Sequence, residues 1–173
     1  SGEIGNYLYL SKLVETNRHL VISTGMHTYE DVRKLVDYFK NYSPGISLLH
    51  CTTAYPTPCN SRNLLAIRTL LHHFSDINIG YSDHTPDHLA CISSVIAGAR
   101  IIETHITLEK NIPNAQDWKV SSMPGELKEL RLQIDRAYNL IGNLKNCLLY
   151  ILGKSAMHFG RNIKTEQEVM MNI

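Results

Sequence analysis

Short apolar runs alternate along this chain with segments whose apolar residues recur at helical spacing. Four runs are rich in Ile, Leu and Val and too short for helices, so they are predicted strands: 20–23, 46–51, 77–81 and 100–107. Each run is followed by an amphipathic segment, in residues 32–39, 64–74, 89–96 and 124–142. Thr28 and Asp31 predict a capping box at the start of the first helix. The order is typical of parallel strands joined by crossover helices.

The predicted fold class is α/β. Four β-α units without a glycine-rich phosphate-binding fingerprint fit half of a (β/α)₈ barrel better than a nucleotide-binding sheet. Half a barrel leaves two open sheet edges, and the chain starts with Ser1 rather than Met, so we expect a piece of a longer protein. After Gly142 the pattern changes. Residues 143–150 are a predicted connector, and 151–173 start another small unit.

Composition narrows the class of protein. The chain has 173 residues and a formal net charge of +1, which allows a sizeable core and gives no electrostatic reason to expect a nucleic acid or an anionic membrane as partner. No apolar run reaches the roughly 20 residues that a membrane span needs. The 4 cysteines form no CxxC pair, which argues against a zinc ribbon or redox motif and favours reduced thiols in the cytoplasm.

Polar residues collect where the predicted strands end, and the strand starts show no comparable enrichment. The stretches concerned are 23–25, 50–56, 80–85 and 103–107. Active sites of parallel α/β folds lie at the carboxyl ends of the strands. The sequence therefore predicts an enzyme with its site at this rim.

Two histidines of this rim predict a metal site. His84 and His105 end adjacent strands at a similar height, so their imidazoles should meet and could bind a divalent ion. The neighbouring carboxylates Asp83 and Glu103 are predicted to orient the rings. Taken alone, the pair fits metal ligands and satisfied buried histidines about equally well. A Ser-His-Asp triad fits poorly, because the adjacent residues Ser82, Asp83 and His84 alternate between opposite faces.

Hydroxyl groups at the rim predict an anion site. Alternation places Cys51, Thr53 and Tyr55 on one face of their strand. The run Ser23-Thr24-Gly25 ahead of a helix fits an anion cradle, although, taken alone, an ordinary turn with a helix cap explains that run better.

Specific motifs stand at these positions: HCTTAYP at 50–56, GYSDHT at 80–85 and ETHIT at 103–107. Together with ISTGM at 22–26 and the S-x-x-P-x-E-L pattern at 121–127, they resemble the sialic acid synthase family, which includes N-acetylneuraminate, spore-coat and legionaminic acid synthases. The matching stretches are collinear along essentially the whole chain.

The resemblance implies a homodimeric enzyme with a (β/α)₈ TIM barrel followed by a small antifreeze-like (SAF) domain. Such enzymes condense phosphoenolpyruvate with an N-acylmannosamine-type aldose, release phosphate and form a nonulosonic acid. On that mapping, residues 1–142 carry strands five to eight of the barrel, 143–150 are the linker, and 151–173 begin the antifreeze-like domain. We expect the piece alone to be inactive.

The resemblance also assigns roles to single residues. His84 and His105 match metal-binding histidines that usually hold Mn²⁺ or Mg²⁺, and together with Tyr55 they are the catalytic candidates. Tyr55 lies near both substrates in the family. The other substrate-binding candidates match contacts to phosphoenolpyruvate or, for the last one, to the sugar: Ser1, Ser23, Thr53, Ser82 and Asp117.

Departures from the family pattern concern the sugar pocket more than the reaction. Thr104 stands where the family often has Lys, and Trp118 follows Asp117 where a His is usual. The S-L-E-P that usually follows is Ser122-Met123-Pro124 here, without the acid.

Two other interpretations stay open from the sequence. One is a different metal-dependent phosphoenolpyruvate-condensing or aldolase-type barrel enzyme, which would turn over an aldose phosphate. The other is an inactive fragment or a binding homologue.

Overall fold

The computed structural model describes residues 1–141 and the backbone of residues 148–152. Its strands form one sheet in the order β1-β2-β3-β4-β5, and β6 also pairs with β4. Every pairing is parallel. The strands are β1 (Leu20–Ser23), β2 (Ile46–His50), β3 (Asn78–Ser82), β4 (Ile101–Ile106), β5 (Ser121–Ser122) and β6 (Leu148–Leu152). The parallel α/β arrangement that the sequence predicts is confirmed.

Helices follow the strands as predicted, and one additional helix precedes them. The helices are α1 (Tyr7–Glu15), α2 (Tyr29–Tyr38), α3 (Ala66–His73), α4 (Leu89–Ala97) and α5 (Pro124–Ile141). Helix α1 was not predicted. Its stripe of Leu10, Leu13 and Val14 packs against the core, but the exposed apolar residues of its first turn hide the helical spacing. Short 3₁₀ helices cover Cys59–Ser61 and Asp117–Val120.

The capping box at the start of α2 is confirmed. The Thr28 hydroxyl accepts a hydrogen bond from the Asp31 amide, and the Asp31 carboxylate accepts one from the Thr28 amide at 2.9 Å. These bonds satisfy amide groups that would otherwise lack partners in the first turn of the helix. They fix the loop between β1 and α2, which carries part of the rim.

The two faces of the sheet have different chemistry. One face packs against the helices through apolar side chains such as Leu48, Ile79, Tyr81 and Ile102. The opposite, inner face is closely packed below the rim. A Cβ atom at Gly80 would lie 2.4 Å from the carbonyl oxygen of Ile101. Glycine is therefore required at this position, which lies on the inner face of β3 two residues before Ser82.

The predicted domain division extends beyond the described residues. Residues 142–147 and 153–173 lie outside them, and β6 crosses the boundary predicted between 150 and 151. The linker and the antifreeze-like domain stay predictions. Among the described residues, no helix has both the length and the apolarity to cross a membrane.

Candidate functional site

The parallel register brings the predicted rim together. Ser23 pairs with Leu49 of β2, and Ser82 of β3 lies opposite Glu103 of β4. Because neighbouring parallel strands end on the same side, their last residues and the loops after them share one surface. Most of the residues singled out from the sequence lie on this surface.

His84 and His105 lie side by side and are nearly inaccessible. Their ring centroids are 5.4 Å apart, and they are 5% and 7% exposed. Nδ1 of His84 lies 2.8 Å from the carbonyl oxygen of Thr52. A carbonyl oxygen only accepts, so Nδ1 carries a hydrogen and Nε2 is the ring nitrogen left for another partner at the rim.

Tyr55 covers this pair of histidines. Its hydroxyl oxygen lies 2.9 Å from Nε2 of His84. Its ring stacks on His84 at a centroid distance of 4.0 Å and meets the His105 ring edge-on at 5.6 Å. Burial raises the pKa of Tyr55, and the nearby acidic groups Cys51, Asp117 and Glu103 raise it further. The phenol therefore keeps its proton and donates a hydrogen bond to Nε2 of His84.

The expectation that Asp83 orients His84 is wrong. Asp83 is 1% exposed, and its carboxylate accepts hydrogen bonds from the Thr85 amide and from the Cys91 thiol of α4. Residues alternate along a strand, so Asp83 points to the helix side of the sheet while His84 points inward. The carbonyl group of Thr52 orients His84 instead. Burial raises the pKa of Asp83.

Glu103 is a site residue whose contact the sequence analysis did not foresee. Its carboxylate accepts a hydrogen bond from the Ser82 hydroxyl at 2.6 Å. The signal was its position two residues before His105, which puts both side chains on one face. This contact adds a carboxylate to the inner face, next to a predicted substrate-binding serine.

Three polar side chains, those of Ser1, Cys51 and Thr53, approach the backbone at Gly25. Its amide donates to the Cys51 sulfur at 3.1 Å. A Cβ atom there would lie 2.3 Å from Thr53 Oγ1, 2.6 Å from Cys51 Sγ and 3.3 Å from Ser1 Oγ. Burial raises the pKa of the Cys51 thiol, so the group is neutral. The structure thus packs Ser1 and Thr53 against the backbone at Gly25, where there is no room for a side chain.

Ser23 and Asp117 reach the same region from other elements. Ile22 packs into the helix-side core, so the alternation of β1 turns Ser23, which is half-buried, towards the inner face. Asp117 starts the second 3₁₀ helix, and its carbonyl oxygen accepts from the Ser121 hydroxyl at 2.6 Å. The negative charge of Asp117 contributes to the raised pKa of Tyr55.

The histidine pair supplies two side chains of a type that commonly binds metal ions. Among the described residues, no group of three or more His, Cys, Asp or Glu side chains is arranged to hold a metal ion. A metal ion at His84 and His105 would need its other ligands from water, substrate or residues outside this part of the chain.

Comparisons with known proteins agree with the motifs. A family model described as the NeuB family matches residues 1–146. The chain is 40% identical over 146 residues to N,N'-diacetyllegionaminic acid synthase of Campylobacter jejuni, which covers 83% of this chain and 43% of that protein. It is 34% identical over 149 residues to N-acetylneuraminate-9-phosphate synthase of Mus musculus, covering 86% of this chain and 41% of that protein.

A solved structure has the same fold. The crystal structure of N-acetylneuraminic acid synthetase from Leptospira borgpetersenii, in complex with citrate, matches with a TM-score of 0.77 and 27% sequence identity. The match covers 98% of this chain and 55% of that one. The chain spans less than half the length of the two curated relatives named above.

Proposed function

The chain belongs to the NeuB family, and on that basis we propose that it supplies the second half of a barrel that condenses phosphoenolpyruvate with an N-acylated aldose. The product would be a nonulosonic acid, and phosphate would be released. One observation carries the proposal: His84, His105 and Tyr55 form a cluster at the same rim as a group of hydroxyls. The names of the relatives, legionaminic acid synthase and N-acetylneuraminate-9-phosphate synthase, support the same class of product.

His84 and His105 would hold a divalent ion, Mn²⁺ or Mg²⁺. The donor set fits, because the Thr52 carbonyl fixes the hydrogen on Nδ1 of His84 and leaves Nε2 as a ligand nitrogen. Two imidazoles leave coordination positions for oxygen ligands from water and substrate. When bound, such an ion polarises an aldehyde oxygen as a Lewis acid.

Hydroxyl groups would bind the phosphate and the carboxylate of phosphoenolpyruvate. Ser1 and Thr53 lie together against Gly25, and Ser23 and Ser82 face the same side of the sheet. Hydroxyls held by rigid strands can donate to anions with little loss of conformational entropy. Positioning of this kind lowers a barrier by several kcal/mol (about 7–11 kcal/mol at best).

Tyr55 and Asp117 would bind the aldose. The methylene carbon of phosphoenolpyruvate attacks the aldehyde carbon, and water then adds to C2 of phosphoenolpyruvate as phosphate departs. Tyr55 retains its proton and is placed to donate a hydrogen bond to a substrate oxygen beside the histidines. Asp117 would accept hydrogen bonds from the sugar hydroxyls.

The test is phosphate release from phosphoenolpyruvate by the intact protein that contains this chain. We expect release to require both N-acetylmannosamine or a diacetamido-trideoxy analogue and added Mn²⁺ after chelation. His84→Ala and His105→Ala should each abolish release while leaving the thermal unfolding midpoint within a few degrees of wild type. Release with an aldose phosphate that lacks an N-acyl group instead would assign another condensing or aldolase-type enzyme. No phosphate release with any aldose would overturn the proposal.

The quaternary state and location of the intact protein are part of the proposal. We expect a homodimer in the cytoplasm, as the family resemblance implies. Light scattering of the intact protein checks the mass, and a monomer at all concentrations would contradict it.

A further inference from the structure

We propose that the Tyr55 hydroxyl occupies the ligand position of His84 when no metal is bound, and that a divalent ion binds by displacing it. The inference rests on the proposed function, because it requires a metal ion at His84. It goes further by assigning Tyr55 a second role, as the group that competes with the ion.

The competition follows from the hydrogen bonds of a single ring. Nδ1 of His84 donates to the Thr52 carbonyl oxygen at 2.8 Å, so Nε2 is the nitrogen left for a ligand. The Tyr55 hydroxyl lies 2.9 Å from that nitrogen, within hydrogen-bond distance. An imidazole nitrogen has a single lone pair, which either accepts this hydrogen bond or binds a metal ion at about 2.0–2.1 Å. The hydroxyl and the ion therefore cannot use Nε2 at the same time.

The position of Tyr55 also separates both histidines from solvent. Its ring contacts His84 at 4.0 Å and His105 at 5.6 Å between centroids. The two histidines are 5% and 7% exposed, whereas Tyr55 is 36% exposed. An outward rotation of Tyr55 thus leads into solvent rather than into the core, and it opens both rings at once.

Displacement of the Tyr55 hydroxyl links binding of the metal ion to binding of the sugar. Once its hydroxyl leaves Nε2, Tyr55 has a hydrogen-bond donor available for a substrate oxygen. Metal binding would therefore prepare the tyrosine for the sugar, and the metal would bind before the aldose.

The experiment measures Mn²⁺ affinity of the intact protein by electron paramagnetic resonance of the unbound ion. Tyr55→Phe keeps the ring but removes the hydroxyl, so we expect it to bind Mn²⁺ about two- to tenfold more tightly, the range a net hydrogen bond supplies. Tyr29→Phe is the matched control, because Tyr29 also packs on a histidine ring, that of His73 at 4.9 Å, away from this pair. Its affinity should equal that of wild type.

His84→Ala separates failure of this inference from failure of the metal site. If His84→Ala weakens Mn²⁺ binding and Tyr55→Phe fails to strengthen it, the displacement is wrong and the metal site stands. If His84→Ala binds Mn²⁺ as wild type does, the metal site is wrong and the displacement with it.

A second readout follows the tyrosine itself. We expect Mn²⁺ to change the ultraviolet absorption of tyrosine in wild type and in Tyr29→Phe, and to leave Tyr55→Phe unchanged. An equal change in Tyr55→Phe would overturn the inference. Thermal unfolding of each variant checks that the fold is retained.

Discussion

Ser82 donates its hydroxyl hydrogen to Glu103 across the β3–β4 pair, with 2.6 Å between the two oxygens. The two residues are register partners, so the strands themselves hold the contact in place. A hydrogen bond to an ionised carboxylate is about twice as strong as one between neutral groups. An anion that binds Ser82 must therefore take over this hydrogen in the presence of the negative charge of Glu103.

Glu103→Gln should therefore strengthen the binding of phosphoenolpyruvate. The change removes one negative charge from the anion site, and repulsion between close charges at moderate dielectric is worth about 1 kcal/mol or more. We expect the dissociation constant from calorimetry to fall about three- to tenfold. Glu129→Gln, on the exposed side of α5, is the control and should leave binding unchanged. Weaker binding by Glu103→Gln would show that the carboxylate supports the anion rather than opposing it.

Gly25→Ala should weaken binding of the same anion by moving the side chains that would bind it. The added methyl group would lie 2.3 Å from Thr53 Oγ1 and 2.6 Å from Cys51 Sγ, so it must push these side chains out of place. We expect the KM for phosphoenolpyruvate to rise at least about tenfold, a loss of roughly 1.4 kcal/mol. Gly125→Ala is the matched control, since a Cβ there meets nothing within 4 Å. An unchanged KM in Gly25→Ala would place the anion elsewhere.

Thr28→Ala should destabilise the protein without affecting the site directly. The hydroxyl of Thr28 accepts from the Asp31 amide in the first turn of α2, and loss of such a cap costs about 1 kcal/mol. Urea unfolding measures the loss. Thr69→Ala, at an exposed position in α3, should be neutral or slightly stabilising, because alanine has the higher helix propensity. Equal effects of the two substitutions would mean that the cap contributes nothing.

His50 should make stability fall in mild acid. Burial lowers the pKa of His50 in the folded protein, so the unfolded chain binds the proton first. The unfolding free energy should therefore decrease as pH falls below about 6.5, the ordinary histidine value, towards the lowered folded pKa. His50→Gln should reduce this decrease, measured by urea unfolding at about pH 7.5 and about pH 5.5. The exposed His72→Gln should keep the wild-type decrease, and identical profiles for all three proteins would contradict the assignment.

Periodic patterns predicted the elements that build the rim, because burial on one face imposes them directly. Val32 and Leu35 repeat at helical spacing and are buried in α2, and the capping box marked the start of that helix. Where the buried side chains of a strand or helix recur at a regular spacing, the position of that element along the chain could be predicted from the sequence. In α1 the stripe of Leu10, Leu13 and Val14 is hidden by the exposed apolar residues of the first turn.

Contacts made by the backbone could not be predicted in this way. The partner of His84 is the carbonyl group of Thr52 in another loop, and every residue has a carbonyl group. Asp83 was the expected partner because it is a carboxylate beside the histidine, but strand alternation turns it towards Cys91. The close packing at Gly25 likewise depends on how three separate segments approach one another.

Alternate residues of strand β3 serve the two opposite faces of the sheet. Ile79 and Tyr81 hold the helices, while Gly80 and Ser82 shape the inner face. Inserting one residue before this strand only lengthens a loop, but inserting one within it would exchange the two sets, with Tyr81 turned inward and Ser82 turned towards the helices. A change in the length of β3 therefore preserves both faces only when it adds or removes an even number of residues. An odd number would disrupt the helix-side core and the site together.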